Sequence, residues 1–263
     1  VVQAHLDYGK VRLCGSFAFI VASTLVGALV GNFGSDWILH TMVAGLLLML
    51  LLSWLPLHPA PQDIQGERAK ASLLDTLKSP QVRRFLLISA LLQGSHAAYY
   101  GFSALYWKAH GYAENVIGYL WALGVLAEIL MFAASRRFLG RFNPRTLLVV
   151  GAIGCLVRWS VLGSTVALPL VIAAQLLHAI TFCITHLAAV RFMTHSLRQG
   201  ELIAGQTLYS ALSGGVIMAL LTTLVGHLYP QWGSGVFWLM ALLGIPALLI
   251  RLPADHSREP DAP

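Results

Sequence analysis

Charge is scarce in this sequence. Asp, Glu, Lys and Arg together make up 11% of it, where a soluble domain carries about 25%. Too few charges remain to cover a globule in water, so a soluble fold is excluded. Cysteine is scarce too. Cys14, Cys155 and Cys183 are scattered, each lies in an apolar run, and no CxxC pair or ligand-like cluster exists. They support neither a disulfide framework nor a zinc site, and read as small apolar packing residues. HExxH, GxSxG and a P-loop lysine motif are all absent, which argues against an enzyme. No metal or cofactor is expected. No large soluble segment is left to hydrolyse ATP, so work on a solute must draw on a gradient.

What the chain has is oil. Hydrophobic residues are 57% of its 263 positions and the mean hydropathy is +0.72. So much apolar surface excludes disorder. The composition predicts an all-α, polytopic membrane protein with the lipid bilayer as its surroundings. A bilayer core takes about 20 apolar residues per helix. Eight such runs can be counted: Val11–Val30, Trp37–Leu57, Phe85–Leu105, Val116–Ser135, Thr146–Gly163, Leu168–Val190, Ile203–His227 and Val236–Leu252. Barrel strands would be shorter and strictly alternating.

The net charge of +6 suits a nucleic-acid partner only until the charges are placed. They sit in short loops. Lys10 and Arg12 precede the first run. Arg68, Lys70, Lys78, Arg83 and Arg84 follow the second, and Arg136, Arg137, Arg141 and Arg145 follow the fourth. Arg191 and Arg198 follow the sixth, and Arg251 and Arg258 lie in the tail. The opposite side has Lys108, and Arg158 falls inside a run. Under the positive-inside rule both ends are cytoplasmic, and no nucleic acid is expected. Trp37, Trp54, Trp107, Trp232 and Trp238 lie near run ends, where lipid-facing anchors belong. Pro59, Pro61 and Pro80 bracket the longest loop, 58–84, the best internal boundary, and Ala71–Leu77 within it reads as a short amphipathic surface helix.

Two ionic residues sit where lipid makes them expensive: Glu128 in GVLAEILMF and Arg158 in GCLVRWSVL. A charge there costs about 2.5–3.5 kcal/mol on insertion scales and is a functional hypothesis by default. Arginine keeps its proton, so it must find an anion or water. Glu128 can take up and release one, which makes it a proton-carrier candidate. One reading is a fixed ion pair that holds helices together; the other is a pair lining an aqueous cavity and changing partners. The third run carries Gln93, His96, Tyr100 and Trp107 near one face, with Tyr99 adjacent. The sixth carries Gln175, His178, Thr181 and Thr185, with His186 beside them. The first carries Ser16, Phe19, Ser23 and Gly27, and the seventh Gln206, Tyr209, Ser210 and Ser213. One polar residue in a span is usually glue between helices; four polar stripes suggest a shared wet cavity. The glycines at 118 and 124, 151 and 154, and 214 and 215 permit close helix approach.

The stretches DYGKVRLCGSFAF, LLQGSHAAYYGFSALYW, GYLWALGVLAEI and GVFWLMAL resemble the phenylpropionate permease family of the major facilitator superfamily, relatives of the lactose permease and nucleoside–proton symporters. The resemblance runs in order from about residue 5 to 252. It implies a twelve-helix protein of two six-helix halves, of which this chain carries helices five to twelve. Residues 1–57 would then close the N-terminal half, 58–84 join the halves, 85–252 form the C-terminal half and 253–263 a cytoplasmic tail. SRRFLGRFNPR resembles the superfamily's cytoplasmic loop motif.

The same resemblance assigns Glu128, Arg158 and His178 to proton coupling. It puts Thr181 where the sugar permease has a carboxylate. Arg12 and Phe19 match a substrate-contacting arginine and a stacking aromatic, and with Gln93, His96, Tyr100 and Thr181 they form the expected substrate set. The implied function is proton-coupled uptake of a small aromatic acid, such as 3-phenylpropionate, across a bacterial inner membrane. Nucleoside or oligosaccharide symport and export are the alternatives within transport. A non-transporting scaffold or sensor and a membrane-embedded enzyme are the other classes.

Overall fold

Apolar segments in lipid must satisfy their backbone groups internally, which leaves helices as the economical solution. The computed structural model describes residues 8–34, 36–55, 72–250 and 252, and every described element is helical. The side chains at 12, 16, 19 and 23 lie outside that description, as do residues 58–71 and 253–263. Each of the eight apolar runs is helical over most of its described residues, four of them in more than one piece. Four helical stretches are long and apolar enough to cross a membrane by themselves: Glu114–Ser135, Pro144–Ser164, Leu168–Ser196 and Leu202–Trp232. The chain is an all-α, multi-pass membrane protein.

It divides in two between Arg68 and Ala69. The first unit holds α1 (Tyr8–Phe33) and α2 (Trp37–Ser53). Gly34 links them at a φ of 95°, a left-handed conformation glycine adopts without penalty. α2 is apolar all round, and none of its residues is buried within this chain.

The second unit holds the rest. α3 (Leu73–Lys78) is the short helix expected in the loop, capped by Ser72, whose hydroxyl accepts from the Leu74 amide. α4 (Pro80–Gly94) starts at Ser79 with proline at its first position. α5 (Ala97–Ala109), α6 (Glu114–Leu139) and α7 (Pro144–Ser164) follow, the last capped by Asn143 accepting from the Thr146 amide at 2.8 Å. The sixth run comprises α8 (Leu168–Leu176), a π-helical stretch Ala179–Ile184 and α9 (Thr185–Ser196). The seventh comprises α10 (Leu202–Tyr209), a π-helical stretch Ser210–Val216 and α11 (Ile217–Trp232). The last is split at Leu243 into α12 (Gly235–Leu242) and α13 (Gly244–Leu249). Pro246 explains the split, because it lacks an N–H and its ring crowds the carbonyl four residues back. The third run also breaks, at Ser95–His96. Gly94 and Ser95 form the Gly/Ser pair that kinks helices, and the Ser95 hydroxyl donates to the Leu92 carbonyl at 2.7 Å.

α7 is the hub, packed against α4, the Leu168–Ser196 stretch, α12 and α13. Glycine permits this crowding. A Cβ on Gly151 would sit 2.3 Å from Thr185 Cγ2, and one on Gly154 2.6 Å from Ile180 Cγ2. From the opposite side, Gly244 meets the Ala152 carbonyl, where a Cβ would lie at 2.9 Å. Next to the basic loop, Arg191 Nη1 donates to the carbonyls of Leu139 (2.6 Å) and Phe142 (2.7 Å), tying the end of α6 to α9. Trp37, Trp54, Trp232 and Trp238 are exposed, as anchors should be, but Trp107 is fully buried. Anchoring holds for most of the five; Trp107, which shares the polar face of the third run, is the exception, and its ring packs in the core within 6.3 Å of Tyr99.

Gly151→Ala is expected to cost about 1–3 kcal/mol by overpacking, read as a lower melting temperature in detergent. Gly118→Ala, with nothing within 4 Å of its added carbon, is expected to hold its melting temperature.

Candidate functional site

Arg158 sits in α7, fully buried. Since its charge is permanent, its surroundings must meet it. Nε donates to the Ala174 carbonyl at 2.9 Å, and Nη1 donates to Thr181 Oγ1 at 3.0 Å and to His178 Nδ1 at 2.9 Å. The guanidinium carbon lies 4.5 Å from the Tyr99 ring centre and 4.4 Å from that of Trp159. Cation–π contacts of this kind are worth about 2 kcal/mol when desolvated. Neutral acceptors and aromatic faces thus meet Nε, Nη1 and the guanidinium plane, while the buried Nη2 has no hydrogen-bond partner.

The arginine also sets a tautomer. A guanidinium only donates, so neutral His178 must accept at Nδ1 and carry its proton on Nε2. That nitrogen faces Glu128, with Oε2 3.8 Å away. Glu128 is buried on α6, and one turn earlier Gly124 packs beside His178, where an added Cβ would make an ordinary contact at 3.7 Å. The imidazole therefore stands between the two ionic residues foreseen as partners, hydrogen-bonded to Arg158 and 3.8 Å from Glu128.

Thr181 ties this group to His96. Its hydroxyl lies 3.1 Å from His96 Nε2, while His96 Nδ1 meets the Gln93 carbonyl at 3.1 Å. Two local irregularities make the meeting possible. The π-helical stretch carries Thr181, and π-bulges are common at functional sites. The Ser95–His96 break carries His96, and it is pinned to α7 by Trp159 Nε1 donating to Ser95 Oγ at 2.9 Å. Tyr99 hydroxyl donates to Gln175 Oε1 at 2.9 Å, and its ring stacks on Trp121 with centres 4.5 Å apart.

Beside this network lies a cavity of about 460 Å³ lined by residues of the third, sixth and seventh runs: Gln93, Tyr100, Phe182, His186, Tyr209, Ser210, Ser213, Gly214 and Met218. Of the expected substrate set, the structure brings Gln93 and Tyr100 to the cavity and puts His96 and Thr181 in the buried network. Arg12 and Phe19 lie on α1, with side chains outside the described residues. Sequence reasoning passed over Phe182 and Trp159. An aromatic next to an intramembrane arginine was the available signal for Trp159; Phe182 had none beyond lying between two histidines at i±4, and its ring stacks on both His178 and His186.

Residues 2–240 match the MFS_1 like family. A probable 3-phenylpropionic acid transporter of Escherichia coli (strain K12) is 45% identical over 253 residues, which cover 95% of this chain and 66% of that protein. A maltose permease of Geobacillus stearothermophilus is 24% identical over 256 residues, covering 95% of this chain and 64% of that protein. The chain spans just under two thirds of the length of each.

The Thr181 hydroxyl serves two buried partners, so Thr181→Val leaves both short of a hydrogen bond. The expected loss is about 1–3 kcal/mol of stability, measured by thermal unfolding in detergent. Thr181→Ser should recover most of it. An unchanged melting point for the valine variant contradicts the network.

Proposed function

This chain belongs to the MFS_1 like family, and we propose that it performs secondary active transport, taking up a small aromatic carboxylate such as 3-phenylpropionate together with protons. One observation carries the reading most directly: a buried carboxylate, an imidazole of defined tautomer and a permanent cation stand in series beside a cavity with aromatic walls. The resemblance to a probable 3-phenylpropionic acid transporter supports the substrate class. The maltose permease resemblance points instead to a sugar. The cavity favours the acid, since no carboxylate is among its lining residues to bind sugar hydroxyls or repel an anion.

In this reading Glu128 takes up and releases the coupled proton. His178 is its exchange partner, and Arg158 biases Glu128 toward release. Gln93 and Tyr100 contact the solute from the cavity wall, while His96 and Thr181 keep the network in register with that wall. Arg12 and Phe19 keep the roles of carboxylate and ring contacts. Residues 1–57 belong to an N-terminal half, 58–84 are the cytoplasmic connection, 85–252 form the C-terminal half and 253–263 the tail. Both ends face the cytoplasm of a bacterial inner membrane. Proton and solute each bind one orientation better than the other, which is the only way either can bias the cycle.

Glu128→Gln removes the titrating group and keeps the shape. In proteoliposomes this variant is expected to lose accumulation driven by a pH gradient while retaining solute exchange at equal concentrations. Full accumulation would end the proton role.

A further inference from the structure

The carboxylate of the proposed solute needs hydrogen-bond donors inside the cavity, and Arg158 does not line it: its Nη2 has no hydrogen-bond partner but is buried away from the cavity's lining residues. Its Nε and Nη1 are engaged, and it lies between two rings. A different set of donors does line the cavity. Ser213 is buried, its hydroxyl has no hydrogen-bond partner, and it lies on the cavity wall. A buried hydroxyl left without a partner costs free energy that a bound acceptor offsets. Tyr209 lies four residues earlier on the same wall, and the π-helical stretch that follows it carries Ser213.

A directed chain of hydrogen bonds sets up the second donor, His186. Gln93 Nε2 donates to the Tyr209 oxygen at 3.4 Å. Tyr209 hydroxyl lies 3.3 Å from His186 Nδ1 and, as donor, leaves the His186 proton on Nε2. Phe182, Tyr100 and Met218 supply the apolar part of the lining, suited to a flat ring. The cavity size falls within the range of small-molecule sites.

We propose that Ser213 Oγ and His186 Nε2 donate to the carboxylate, with Tyr209 positioning the His186 ring through its own hydroxyl proton, so that acid-over-alcohol selectivity is set in the cavity by a serine and a neutral imidazole. The solute's ring then lies against Phe182 and Tyr100. This rests on the aromatic-acid reading above.

The test compares binding of 3-phenylpropionate and 3-phenylpropanol to the purified full chain by titration calorimetry. The wild type is expected to prefer the acid. Ser213→Ala and Tyr209→Phe, each lacking one oxygen, are expected to cut that preference about tenfold. Ser89→Ala is the control: its hydroxyl is equally buried and unpartnered but does not line the cavity, so the preference should stand. Preference retained in both cavity variants overturns the assignment and leaves the aromatic-acid reading intact. A wild type that ignores 3-phenylpropionate but selects another acid over its alcohol, with that selectivity lost in Ser213→Ala, refutes the aromatic reading and upholds the assignment. A wild type with no preference for any acid in the panel overturns both.

Discussion

A permanent positive charge has been folded into the oil-facing interior of a membrane protein, and the surroundings of Arg158 follow from that. Its side chain is fully buried, and the fold supplies a carbonyl from α8, a hydroxyl and an imidazole from the following turns, and two aromatic faces. Each of these groups constrains a helix. Holding Ala174, His178 and Thr181 around one side chain fixes the sixth run against α7 in register and rotation. The glycines of α7 then bring the backbones close enough for a side chain of fixed length to reach.

The irregular backbone belongs to the same arrangement. A regular helix repeats one face every 3.6 residues, and a site that needs adjacent groups on one wall must break the repeat. The sixth and seventh runs do so with π-helical stretches, the third with a Gly–Ser break. All three interruptions sit beside the network or the cavity. Elsewhere in the second unit α6 and α7 run without interruption, as supports should.

Much of this was legible from residues alone. Hydropathy places all eight helical stretches, because lipid enforces one structural solution for long apolar runs. Pro246 and the Gly94–Ser95 pair mark two breaks by known steric rules. Glu128 and Arg158 announce themselves through their cost. What stands between them did not, because His178 lies on a third helix and only tertiary packing places its ring between the two. The π-helical stretches escaped as well, since an extra residue per turn leaves no mark in composition. Trp107 had two readings, run end and polar face, and only packing could choose the buried one, because distance to a helix end says nothing about which way the ring turns.

The hold of Arg158 on His178 has one more consequence. With Nδ1 engaged by a group that never accepts, the ring has a single open terminus. Turning the ring over would set a protonated Nε2 against the guanidinium, donor to donor, so the imidazole is latched in one orientation with its N–H edge toward Glu128.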